Sequence, residues 1–172
     1  MTTTAPTFES PLELLSACHD RIMDQCTTLQ KLMNHMPMHG CDEQAQQAAK
    51  GIMRYFDTAG HFHHLDEEED LFPMLQAANN KDANDLIQHL LNDHAKMDAA
   101  WLKLREQLQL ITEGKLTALE RTLVGDFSLA YGRHVMLENM QLLPFAKHQL
   151  NQGQLQELGQ KMAARRGVTS TS

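Results

Sequence analysis

Two stretches of this chain repeat one arrangement of chemically capable residues. His63-His64-Leu65-Asp66-Glu67-Glu68-Glu69-Asp70-Leu71-Phe72-Pro73 and His134-Val135-Met136-Leu137-Glu138-Asn139-Met140-Gln141-Leu142-Leu143-Pro144 both read H-x3-E-x3-L-[FL]-P, displaced by 71 residues. Counted as a template, H-x3-E-x5-P is expected roughly 0.02 times in a shuffled chain of this composition. Two occurrences therefore mark an internal repeat. Residues four apart lie one turn along the same helix face, with Cβ atoms about 5–6 Å apart. An imidazole and a carboxylate at that spacing can converge on one metal region.

Two further histidines, His19 and His94, stand singly on otherwise apolar seams, displaced by 75 residues. The chain thus reads as two related hairpins, and a pseudo-twofold axis would bring His19, His63, Glu67, His94, His134 and Glu138 together. Two carboxylates buried without partners would cost several kcal/mol each, and metal cations remove that cost. Six donors exceed the needs of one tetrahedral zinc but suit two metals sharing both carboxylates. Mixed imidazole and carboxylate donors favour iron or manganese. The count leaves coordination positions for a small ligand or a bridging oxygen.

The elements that must position these residues are four long helices. Ser10-Pro11-Leu12-Glu13 reads as a capping box with proline at the first helical position, and the seam Leu12, Leu15, His19, Ile22, Cys26, Leu29, Met33 and Met36 steps by three and four. Pro37 and Gly40 should end that helix. Asp42 should cap the second, whose inward face runs through Ala49, Ile52, Met53, Phe56, Gly60, His63, Glu67, Leu71 and Met74. Pro73 should kink or finish it. Asp82 is the expected cap of a third helix with the seam Ile87, Leu90, His94, Met97, Trp101, Leu104 and Leu108. Thr117-Ala118-Leu119-Glu120 reads as a capping box for a fourth, carrying Leu123, Phe127, Ala130, His134, Glu138 and Leu142. A shorter amphipathic piece, 155–164, should pack across one end. The expectation is an all-α, antiparallel up-down-up-down four-helix bundle with a short additional C-terminal helix. It occupies 10–166, between a flexible N-terminus (1–9) and a flexible tail (167–172).

The chain resembles the hemerythrin-like HHE cation-binding family. His19, the His63-x3-Glu67-Glu68 run through Pro73, His94, and His134-x3-Glu138 through Pro144 carry the resemblance, and Met162-Ala163-Ala164-Arg165-Arg166-Gly167 has the family's flavour. It implies a four-helix bundle with a non-haem di-iron site able to bind oxygen or nitric oxide. Oxygen-carrying hemerythrins have a histidine pair four apart on the third helix, where this chain has Leu90, and H-x4-D on the fourth, where it has H-x3-E. Both departures resemble the four-histidine, two-glutamate branch, which includes di-iron proteins implicated in repairing damaged iron–sulfur clusters. The N-terminal cysteine-containing module common in that branch has no counterpart here.

The remaining chemistry-bearing residues fall outside that set. His64 and Glu68 form a rival pair at the same spacing, one residue out of register with His134 and Glu138. His35, His39, His61, His89 and His148 lie off the seams. Glu68, Glu69 and Asp70 read as a solvated face, with Glu68 also placed to support a ligand. Trp101 could line the pocket or pack the core. Cys18 borders His19, Cys26 reads as core, and Cys41 sits in a turn. Three cysteines without a CxxC argue against a disulfide framework or zinc ribbon.

Composition bounds the partners. A net charge of −7 and the absence of a basic stripe argue against nucleic acid. No apolar run approaches the ~20 residues that span a bilayer, and Met1–Pro6 lacks the features of a signal peptide, so the chain reads as cytoplasmic and not membrane-bound. The extra helix is compatible with a homodimer, although no seam is left over for one. The expected function is a di-iron protein that binds or senses oxygen or nitric oxide, or holds iron. The alternative is a di-iron enzyme acting on nitric oxide, peroxide or damaged iron–sulfur clusters, with no catalytic residue assigned. A ferritin-like oxidase fits less well, since its E-x-x-H pairs are absent from the aligned positions.

Overall fold

Proline starts the first helix. In the computed structural model, which describes residues 5–169, α1 (Pro11–His39) opens on Pro11, whose missing N–H leaves no orphan donor there. The Ser10 side chain makes no capping bond, so the expected capping box does not form. Pro37 sits inside the last turn without ending it. Gly40, at φ 66°, takes the left-handed conformation and closes its N–H on the Met36 carbonyl.

Asp42 caps α2 (Glu43–Asp57) by accepting from the Ala45 N–H at 2.8 Å. Thr58 breaks the helix, and α3 (Ala59–Leu65) carries His63, where the first motif begins. Two motif segments are π-helical, Asp66–Leu71 and Glu138–Leu142. They lead into α4 (Phe72–Gln76) and, after α5 (Lys81–Thr112) and α6 (Arg121–Leu137), into α7 (Leu143–Gln149). Asn80, not Asp82, caps α5, because its side chain reaches the Ala83 N–H at 3.0 Å while Asp82 lies within the first turn. The Thr117–Glu120 capping box is also absent. Glu120 itself is the N-cap, and its N–H is bonded by the Gln107 side chain at 3.0 Å. A reciprocal capping box of Asn151 and Gln154 starts α8 (Gln152–Arg165).

Four rods result: α1; α2 through α4; α5; and α6 through α7. The α1 rod packs on α2 and α6, and α5 packs on the same two, the closed ring of an up-down-up-down bundle. Helix α8 lies against α1 and the first π segment. The Phe8 side chain packs against the cluster that holds Leu158 and Met162, with its carbonyl over Gly159, where a Cβ would overlap it. No helix among the described residues is long and apolar enough to cross a membrane.

The interior is layered. One apolar cluster includes Ile22, Cys26, Phe56, Met97 and Phe127; the other includes Leu15, Leu71, Leu90, Leu142 and Leu158. Between them, on every rod, the seam turns polar: His19, His63 with Glu67, His94, and His134 with Glu138 are all buried. Each fully buried Leu, Ile or Phe contributes about 1.5–3 kcal/mol, which lets the fold tolerate a polar layer. The seams drift in places. Leu32 replaces Met33, Leu75 replaces Met74, and Val124 and Tyr131 replace Leu123 and Ala130 as buried positions. A 3.6-residue turn drifts against a strict three-four repeat, and the π segment adds its own offset before Leu75.

Candidate metal centre

The backbone at each motif explains why Pro73 and Pro144 neither end nor break their rods. A proline within a helix lacks its own N–H and crowds the carbonyl four residues back. Here the residue just before each proline bonds five residues back: Phe72 N–H to the Glu67 carbonyl, and Leu143 N–H to the Glu138 carbonyl. The widened turn accommodates the ring and begins at or beside the motif glutamate. The shared ending L-[FL]-P is the sequence signal of this device, and π segments of this kind often mark functional sites.

The structure brings all six expected side chains into one layer. Their inward atoms form two groups, His19, His63, Glu67 and Glu138, and Glu67, His94, His134 and Glu138, each with donor atoms within 4.8 Å of one another. The carboxylates are divided between the groups. Glu67 Oε1 lies 2.7 Å from His63 Nε2 while its Oε2 lies 3.1 Å from His94 Nε2. Glu138 Oε2 lies 2.8 Å from His19 Nε2 while its Oε1 lies 3.0 Å from His134 Nε2. Each glutamate thus offers one oxygen to each half.

These contacts are short, yet His19 Nε2, Glu67 Oε2 and both Glu138 oxygens make no hydrogen bond of acceptable geometry. Two imidazole nitrogens, His94 Nε2 and His134 Nε2, also face one another at 3.0 Å. Atoms whose lone pairs meet without satisfying each other are the arrangement that cations complete, so the donor set fits bound metal cations. Without metal, protons take their place. Burial opposes protonation of His63, but the Glu67 charge holds its pKa well above the ordinary range. Burial likewise opposes it at His19 and His94, and the glutamates raise both to about 9. Glu67 and Glu138 are lowered despite burial and, for Glu138, despite the charge of Glu67, because histidines surround them.

An outer ring of partners repeats with the same pseudo-symmetry. The residue after each motif glutamate reaches across to a single histidine: His94 Nδ1 lies 2.6 Å from Glu68 Oε1, and His19 Nδ1 lies 2.6 Å from Asn139 Oδ1. The residue before each single histidine lies beside a motif histidine. His134 Nδ1 is 3.4 Å from Asp93 Oδ2. The Cys18 thiol interacts with His63, which with nearby arginines lowers the thiol pKa against the effect of burial, although His63 Nδ1 has no hydrogen bond of good geometry. Asn139 and Asp93 are not evident as partners in the sequence until the two hairpins are overlaid.

His64 is buried outside both groups. It stacks on His94 with centroids 4.0 Å apart, and its Nε2 lies 3.4 Å from the Tyr131 hydroxyl. With Tyr131 it lines a cleft of about 330 Å³ that also includes Gly60, Trp101 and Arg105. Trp101 both lines this cleft and packs against Phe56.

Of the three residues read as a solvated face, Glu69 is exposed and Glu68 half-buried, but Asp70 is not solvated. Asp66 is fully buried and Asp70 nearly so. Arg166 Nη2 and Arg165 Nη1 each bond Asp66 at 2.6 Å, and Arg165 Nη2 also reaches Glu69 at 2.9 Å and Asp70 at 2.8 Å. Helix α8 thereby fixes the π segment that carries Glu67. Of the off-seam histidines, His35 pairs with the capping Asp42 at 2.9 Å and stacks on His39. These three form a smaller group of potential metal donors, roughly 24 Å along α1 from His19 at 1.5 Å per residue.

Comparison with known proteins points the same way. The profile of the hemerythrin HHE cation-binding domain matches residues 10–146. An uncharacterized protein of Haemophilus influenzae is 30% identical over 162 residues, covering 94% of this chain and 93% of that protein.

Proposed function

The chain belongs to the hemerythrin HHE cation-binding family, and on that premise we propose that its polar layer holds two iron ions and binds a small diatomic ligand, oxygen or nitric oxide. The observation that carries this reading is the division of both carboxylates between the two halves. His19 and His63 would hold one ion, His94 and His134 the other, and Glu67 and Glu138 would bridge them. Imidazole and carboxylate without thiolate is a donor set for iron rather than for a structural zinc. Six protein donors leave positions for an added ligand, and a reduced iron pair supplies the electrons that bind one.

The chain's own part is positioning and exclusion. The outer partners at Nδ1 of His19, His94 and His134 direct Nε2 inward. The apolar clusters on either side keep bulk water from the layer. His64 and Tyr131, buried where the cleft meets the layer, form a polar boundary beside His94. Optical spectra of the anaerobically reduced, iron-loaded protein should change on adding oxygen or nitric oxide, and an unperturbed spectrum with both gases would contradict the proposal. Sustained consumption of either gas over many turnovers, lost in Glu67→Ala, would replace ligand binding by catalysis.

A further inference from the structure

The two halves of the centre are built on one plan but supported by different chemistry. Around His94 and His134 the outer acceptors are carboxylates, Glu68 and Asp93. Around His19 and His63 the matching positions are an amide, Asn139, and a thiol, Cys18, which also faces the Arg21 guanidinium at 3.7 Å. A carboxylate accepting from Nδ1–H makes the imidazole a stronger donor at Nε2 and favours positive charge on the metal. An amide does so less, and a neighbouring cation opposes it.

We propose, resting on the reading of the layer as a two-metal centre, that its two positions are unequal, and that Glu68 and Asp93 make the His94–His134 position the one that takes metal first and keeps it more tightly. These two carboxylates are positioning residues that act through the histidines. Exchanging the outer partners between halves would reverse the preference without touching a metal ligand.

The test is anaerobic titration of the metal-free full chain with Fe(II) alone, followed by crystallographic anomalous scattering at less than one equivalent. Iron should concentrate at the His94–His134 position. Glu68→Gln preserves an oxygen acceptor and removes the charge; it should weaken the tighter binding step by roughly tenfold, the lower end of the effect of losing an outer partner. Asn139→Asp supplies the charge on the other half and should raise occupancy there. A merely structural role for Glu68 would leave occupancies unchanged in both near-isosteric variants. Equal occupancy in the unaltered chain, or ratios that neither substitution moves, would overturn the inequality while leaving the two-metal centre standing. Failure of the layer to take iron at all would overturn both.

Discussion

Glu67 and Glu138 are each at most about 1% exposed and depend on histidines for their charge. Without metal, that dependence makes stability a function of pH. The folded pKa values of His19 and His94, about 9 against an ordinary 6.5, are raised, so their contribution is fully present below pH 6.5 and is lost as pH rises through about 9. Glu67 and Glu138 are lowered from 4.5, so theirs is present above 4.5 and lost as pH falls. The metal-free chain should melt highest between these limits and lower towards pH 9. Metal needs deprotonated imidazoles, so the gain in melting temperature on adding metal should grow across the same rise. Paired melts at both pH values, with and without Fe(II), check this; a gain that shrinks towards pH 9 would contradict it. At the candidate ligands themselves, Glu67→Ala or Glu138→Ala should abolish two-metal loading, read by metal analysis of the purified variants.

At the scale of elements, the tie between α8 and the first π segment is the contact the sequence hid. Asp66 and Asp70 look like part of a charge run, and only the return of Arg165 and Arg166 from the far end of the chain makes their burial affordable. Removing both arginines leaves a buried carboxylate unpaired, a loss of about 3–5 kcal/mol. Arg165→Ala with Arg166→Ala should therefore lower unfolding free energy by that order, and adding Asp66→Asn should recover part of it. Denaturant unfolding of the double and triple variants beside the unaltered chain decides, and unchanged stability in the double variant would show the tie to be idle. Gly159 gives a second handle. A Cβ there would overlap the Phe8 carbonyl, so Gly159→Ala should cost about 1–3 kcal/mol without lowering metal stoichiometry.

Over the whole molecule, the four rods and the six buried polar side chains of the layer were legible because period and spacing are properties of one chain segment at a time. The seams through His19 and His94 and the two H-x3-E pairs required no knowledge of neighbours. The π segments were half legible: the prolines were visible, but whether a helix stops at a proline or widens around it depends on packing on both sides. Caps fared worst, since residue type alone does not say whether a side chain reaches a particular N–H: that of Asn80 does, and those of Ser10, Asp82 and Thr117 do not cap their helices. Outer partners such as Asn139 and Asp93 lie on different rods from the histidines they face and appear only once the bundle closes. All these levels converge on one layer between two apolar clusters, and its metal content is the most direct test. Protein purified without affinity resins and loaded anaerobically should hold two irons per chain, with a sharp fall in both His63→Ala and His134→Ala. At most one metal per chain, or two that survive those substitutions, would contradict the account.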